Sequence, residues 1–271
     1  MTHARLFHVD AFATAPFTGN PAAVLVLESE PTGDFCARIG AELNQPATAV
    51  VWPAGERGTF GLRWFTATSE LTLCGHGTLA AARVLLDIGR GVGGRIRFAT
   101  RSGPLDAQAT GDWVQLRFPS LRPEPLADAA LAAAVTALLP APAREMLRND
   151  LDVMAVLESS AEVGGAQPDL QALQRLPVRG LIITAAGDDH EADFVSRFFS
   201  PATGIGEDAV TGSAHCALGP YWIGRLGRQP LLGRQLSARG GLVRVAQEGA
   251  DVILVGPALV LSDGPWRLPV T

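Results

Sequence analysis

The sequence predicts an α+β protein of two similar domains, each a curled, mostly antiparallel sheet around a central helix. Two observations carry this. Each half holds many short strand-like runs but one long helical pattern opened by glycine, Thr78 to Leu86 in the first and Gly212 to about Leu226 in the second. The approaches to these helices also read alike. Arg63-Trp64-Phe65-Thr66 ends a strand, an irregular segment holds Glu70, and Cys74-Gly75-His76-Gly77 opens the first helix. Phe194 to Phe199 runs as a strand into Ser200, a loop holds Glu207 and Asp208, and Thr211-Gly212-Ser213-Ala214 opens the second. This is the mark of a duplicated half-molecule, related by a pseudo-twofold and too long in period for a solenoid. If the halves pack face to face, two helix N-termini point into one cleft.

In chain order, Leu6 to Phe12 reads as a strand, Phe17-Thr18-Gly19-Asn20-Pro21 as a turn and Ala22 to Leu27 as a strand. Phe35 to Leu43 has helical spacing, with Asp34 as its cap. Thr48 to Trp52 and Thr59 to Phe65 are strand-like, and the helix from Gly77 stops near Gly89. Arg95 to Thr100 and Trp113 to Phe118 complete a first domain, residues 1–118. Pro119 to Pro125 carries three prolines and reads as a linker. The second domain, residues 125–257, opens with an Ala/Leu helix from Asp128 to Leu139. Val153 to Leu157, Leu181 to Thr184 and Ala192 to Phe199 are strands, and Pro168 to Leu176 is a short helix. Pro220 should kink the helix that starts at Gly212. Gln235 to Arg239, Leu242 to Gln247 and Val252 to Val255 alternate as half-buried strands.

Composition removes several functions. A formal charge of -5 disfavours nucleic acid, which wants a basic surface. All 22 basic residues are arginine, which excludes lysine Schiff-base chemistry and a Walker loop. No GxGxxG follows a strand. The three cysteines, Cys36, Cys74 and Cys216, fit a reducing cytoplasm without a disulfide framework. The first residues hold no apolar signal core, and the longest apolar stretch is too short to span a bilayer, so no membrane association is expected.

The two helix starts carry the chemistry. Backbone N–H groups at a helix start lack intrahelical partners, and with the dipole they suit an anion such as a carboxylate. Gly75, Gly77 and Gly212 let a ligand approach the backbone, and Thr211 and Ser213 add hydroxyls. Asp208 is placed to move a proton on whatever that anion anchors, though it could instead cap the following turn. His76, between two glycines, reads as a site residue rather than a core histidine. Cys74 is either a buried filler or, at a helix start, a usable thiolate. Cys74, His76, His215 and Cys216 are spaced too tightly for zinc, so no metal is expected. Glu70 and Glu207 read as solvated loop acids.

These pieces, with His8-Val9-Asp10-Ala11-Phe12, Phe17 to Pro21 and Glu42-Leu43-Asn44, together resemble the phenazine-biosynthesis (PhzF-like) isomerases, which share the diaminopimelate-epimerase fold. The resemblance spans nearly the whole chain. It implies a cofactor-free active site between two similar domains, residues 258–271 rejoining the first domain, and homodimers. It implies a proton shift on a small cyclic or unsaturated carboxylic acid, with specialised biosynthesis as the expected setting, Asp208, His76 and Ser213 as site residues, and Asn20 and Asp10 beside the substrate. The family's principal glutamate falls at Ala47, a methyl that can neither take nor give a proton. The expected solution is that Asp208 and His76 share the transfer while Ala47 makes room for the substrate. Two alternatives stay open: a Cys74-dependent dehydratase or epimerase of an amino or imino acid, and a catalytically silent binding protein.

Overall fold

The structure, a computed structural model, describes residues 3–188 and 191–267. The expected return of the chain end at residues 268–271 lies outside the described residues. Two compact units emerge: Met1–Arg117 with Val255–Thr271, and Phe118–Leu254. Each is mixed α+β.

Unit 1 runs β1 (His3–Ala11), β2 (Asn20–Val26), α1 (Gly33–Leu43), β3 (Thr48–Pro53), β4 (Thr59–Phe65), β5 (Glu70–Leu71), α2 (Gly75–Asp87), β6 (Arg95–Thr100), β7 (Gly103–Thr110) and β8 (Trp113–Pro119). In unit 2 follow β9 (Glu124–Pro125), α3 (Ala129–Thr136), β10 (Glu145–Arg148), β11 (Asp152–Val156), α4 (Ser160–Gly165), α5 (Leu170–Gln174), β12 (Gly180–Ala186) and β13 (Phe194–Ser200). A single 3₁₀ turn at Pro201–Thr203 leads to β14 (Ile205–Asp208), α6 (Gly212–Leu226), β15 (Leu231–Gln235), β16 (Gly241–Glu248) and the long β17 (Asp251–Arg267).

In unit 1 the pairings run β17–β1–β2–β3–β4–β6–β7–β8 and back to β17, a ring of strands. Ala258 to Arg267 of β17 lies antiparallel to β1. Helix α2 packs against β1, β2, β3, β6 and β7. That explains why His76 to Ala82 are all buried: a helix touched on every side has no polar face to keep. Helix α1 covers the other face of the strands, where Cys36 and Ile39 meet Leu25, Val50, Trp52 and Phe65.

Unit 2 holds strands β9 to β16 and helix α6. Strands β11 and β12 are parallel, β12 and β13 antiparallel, and β13 also pairs β14 and β15. Helix α6 packs on β15 and β16. On the opposite face Leu131, Val135, Val163 and Leu173 from α3, α4 and α5 join Leu181, Ile183, Val195 and Phe199. Pro220 sits inside α6 and lacks the N–H that would bond the Cys216 carbonyl. The Leu121 N–H takes that carbonyl at 3.0 Å, so the helix proline ties the Pro119–Pro125 segment to α6.

Several local expectations change. Thr32, not Asp34, caps α1, because its Oγ1 accepts the Phe35 N–H, while Asp34 favours the dipole from the first turn. The proline segment is not all linker: Glu124–Pro125 pairs with β10. The Ala/Leu helix ends at Thr136, and the strand read as Gln235 to Arg239 is instead Leu231–Gln235. Strands β7, β9 and β10 and helix α4 carry too weak a pattern to be read from sequence. Among the described residues no helix is long and apolar enough to cross a membrane.

His215, fully buried on α6, carries a pH consequence. Its Nδ1–H donates to the Thr211 carbonyl at 2.8 Å, and Nε2 is buried with no partner among the described residues. Burial pushes its pKa down from the usual 6.5 to about 4. Above pH 6.5 both folded and unfolded states are neutral there and nothing is gained or lost. As the pH falls from 6.5 towards 4 the unfolded chain takes a proton the folded one refuses, so stability declines through that window. The loss reaches about 3 kcal/mol at the low end. Thermal melts between pH 7 and 4 are expected to show a shallower decline for His215→Gln than for wild type; parallel curves would contradict this.

Candidate active site

The helix start of unit 1 is built around Cys74, which caps α2 in extended conformation without a side-chain cap bond. The Cys74 carbonyl accepts the Thr78 N–H at 3.0 Å and the Thr78 hydroxyl at 2.6 Å, fixing the first turn. That turn brings the Cys74 sulfur to 3.5 Å from His76 Nδ1. Both side chains are nearly buried, at 5% and 8% exposure. The other two thiols are poor candidates for chemistry: burial raises Cys36 to about 11 and Cys216 to about 12.

Gly77 is required by close packing. A Cβ there would lie 2.9 Å from Trp64, 3.1 Å from the Cys74 sulfur and 3.4 Å from the Ala47 methyl. Ala47 is therefore packed at the α2 start and is fully buried. Thr48 Oγ1 and Trp64 Nε1 are buried without partners among the described residues. Asp10 and Asn20 are buried at the facing ends of β1 and β2, where Ala11 pairs with Asn20 and Asp10 with Pro21.

In unit 2 Asp208 ends β14, opposite Phe198 of β13. Its Oδ2 accepts the Thr211 hydroxyl at 2.6 Å. Gln235, buried at the end of β15, donates from Nε2 to the Asp208 carbonyl at 2.7 Å and accepts the Thr211 N–H at 2.9 Å through Oε1. One side chain thus fixes both the carboxylate's backbone and the residue that caps α6. Gly212 is buried and Ser213 half-buried at the first turn.

Sequence reading missed Gln235, Asp152 and Arg179. Arg179 donates from Nε to Asp152 Oδ1 at 2.9 Å, from Nη2 to Oδ2 at 2.5 Å, and from Nη2 to Ser213 Oγ at 3.0 Å. Burial raises the Asp152 pKa, opposed by the hydrogen bonds and charge of Arg179.

Glu70 and Glu207 are not solvated loop acids. Arg63 grips Glu70 with two bonds of 2.7 Å, and Arg197 grips Glu207 at 2.7 and 2.9 Å. The Arg63 hydrogen bond holds the Glu70 carboxyl below its usual range. In both units the guanidinium also lies over the phenylalanine two residues on, Phe65 at 5.0 Å and Phe199 at 4.9 Å. The same Arg-x-Phe strand and glutamate therefore precede Cys74-Gly75-His76 in one unit and Thr211-Gly212-Ser213 in the other.

The family model described as phenazine biosynthesis-like protein (PhzC-PhzF) matches residues 9–264. A Pseudomonas aeruginosa protein named an uncharacterized isomerase is 41% identical over 263 residues, covering 97% of this chain and 98% of that one. A human phenazine biosynthesis-like domain-containing protein is 34% identical over 281 residues, covering 95% and 97%. The crystal structure of a PhzF family protein from Enterococcus faecalis superposes with a TM-score of 0.91 at 37% identity, covering 99% of this chain and all of that one.

Proposed function

Because the chain belongs to the phenazine biosynthesis-like (PhzC-PhzF) family, we propose that it is an isomerase that shifts a proton, and so a double bond, within a small cyclic or unsaturated carboxylic acid. The observation that carries the reading is Asp208: its carboxylate accepts the Thr211 hydroxyl and its backbone carbonyl is held by Gln235, four residues before the α6 start. The substrate carboxylate sits on the N–H groups of Gly212 and Ser213, which suit an anion. Loss of a proton from the adjacent carbon then sends charge into that carboxylate as an enolate, and the same N–H groups stabilise it. Asp208 takes the proton, and its return at a different carbon completes the shift. Such a transfer uses an acid and a base and no cofactor. Names among the relatives, including an isomerase, support the reaction class.

The 3.5 Å contact between Cys74 and His76 favours one second reading. A thiol beside an imidazole is the arrangement that activates a cysteine. There Cys74 moves the proton, in a dehydration or epimerisation of an amino or imino acid. Cys74→Ala separates the two. The leading reading expects most turnover to survive, whereas a loss of about a hundredfold or more would move the proton transfer to the thiol.

The test is incubation of small cyclic and unsaturated carboxylic acids with wild-type protein in D₂O, followed by NMR. Solvent deuterium is expected at carbon in a shifted product. Acids that bind tightly yet exchange no carbon-bound hydrogen would make the protein a silent binder.

A further inference from the structure

We propose that Arg179 is a positioning residue for carboxylate recognition, held by the buried Asp152 and turning the Ser213 hydroxyl into a donor toward the substrate. This rests on the reading that the first turn of α6 holds the substrate carboxylate.

A guanidinium has no acceptor, so in the 3.0 Å contact Ser213 Oγ must accept from Arg179. Among the described residues Ser213 Oγ has no other hydrogen-bond partner. Its single proton is therefore directed away from Arg179 and available to an incoming oxygen. An anion at the helix start then meets backbone N–H groups, a hydroxyl donor and a cation behind that hydroxyl.

Arg179 is fixed for this task. The Asp152 side chain is fully buried and takes two bonds from the guanidinium, while the arginine side chain keeps 28% of its surface exposed. Its chain is pinned as well: the Arg179 N–H bonds the Leu151 carbonyl at 2.8 Å, and the Arg179 carbonyl accepts the Ser200 hydroxyl at 2.8 Å. The guanidinium rests 5.4 Å from the centre of the Phe198 ring. A buried ion pair adds little net stability and is often replaceable by apolar residues. The bond to Ser213 gives this pair a use beyond packing.

The internal repeat sets the place apart. Leu181 pairs with Phe199 as Thr48 pairs with Phe65, so Gly180 stands where Ala47 does, and Arg179 where Pro46 does. Unit 1 has a proline at that place, so the cation is a feature of unit 2 alone.

The experiment is calorimetric titration with cyclohex-1-ene-1-carboxylate and, as an uncharged control, its carboxamide. Arg179→Met leaves Asp152 unpaired and risks unfolding, so the informative protein is Asp152→Leu/Arg179→Met, which removes both charges. It is expected to bind the carboxylate about tenfold or more weakly than wild type, with carboxamide binding unchanged. Adding Ser213→Ala to it should weaken carboxylate binding less than Ser213→Ala does in the wild type, the mark of two residues acting through one contact. Arg179→Lys, tested alone, keeps charge without the fork and should recover only part of the affinity. A folded Asp152→Leu/Arg179→Met protein with wild-type carboxylate affinity, or strictly additive losses, would overturn the role of Arg179 alone. Failure of the wild type to bind the carboxylate would overturn the carboxylate site and this role with it.

Discussion

Asp208→Asn is expected to lower deuterium incorporation into the product by about a hundredfold to ten-thousandfold, the scale of a positioned acid or base. Asparagine keeps the shape and can still accept the Thr211 hydroxyl, so the turn to α6 should hold. Gln235 contacts the residue 208 carbonyl rather than its side chain, and that bond is untouched by the change. Carboxylate binding should therefore survive, because the N–H groups of Gly212 and Ser213 are unchanged. In kinetic terms kcat collapses while the affinity for the acid stays close to wild type. An Asp208→Asn protein that exchanges deuterium at the wild-type rate would remove Asp208 from the mechanism and leave Cys74 as the proton carrier.

Gly180→Val is expected to be among the most damaging changes to the fold. A Cβ at this position would lie 2.5 Å from the Phe198 ring and 2.9 Å from the Phe199 carbonyl oxygen. The ring could turn away, but the carbonyl belongs to the strand that pairs with β12. Overpacking of this kind costs about 3 kcal/mol, and in a chain of this size that lowers Tm by about 10 °C. The same shift moves Arg179, the next residue, and should weaken carboxylate binding in whatever fraction stays folded. A Gly180→Val protein that melts with the wild type would show that the β12–β13 contact is looser than described.

Glycine chemistry made the two helix starts readable. Cys74-Gly75-His76-Gly77 and Thr211-Gly212-Ser213-Ala214 each break a strand pattern, and the helices begin at Gly75 and Gly212. What surrounds those starts was not. Arg179 meets Asp152 because β11 and β12 are parallel neighbours, with Asp152 opposite Gly180. Parallel neighbours are joined by a crossover, so no short spacing announces the pair. Gln235 reaches Thr211 from β15, 24 residues away, and looks in sequence like the polar end of a strand. Glu70 and Glu207 read as loop acids because each lies beyond a turn from its arginine; only the paired strands show them clamped. Ala47 shows the opposite limit. Its identity could be read, but its burial beside Gly77 depends on where α2 enters the ring. Short strands such as β9, two residues long, exist through their partner and carry no periodicity of their own.

The central claim is that the α6 start holds a carboxylate whose neighbouring carbon gives its proton to Asp208. A crystal structure of the wild-type protein with a reacting acid bound tests it most directly. The expected result places the carboxylate oxygens within hydrogen-bond distance of the Gly212 and Ser213 N–H groups and of Ser213 Oγ, with an Asp208 carboxylate oxygen beside the carbon that exchanges. An acid bound with its mobile hydrogen beside the Cys74 sulfur, or with its carboxylate away from α6, would contradict it.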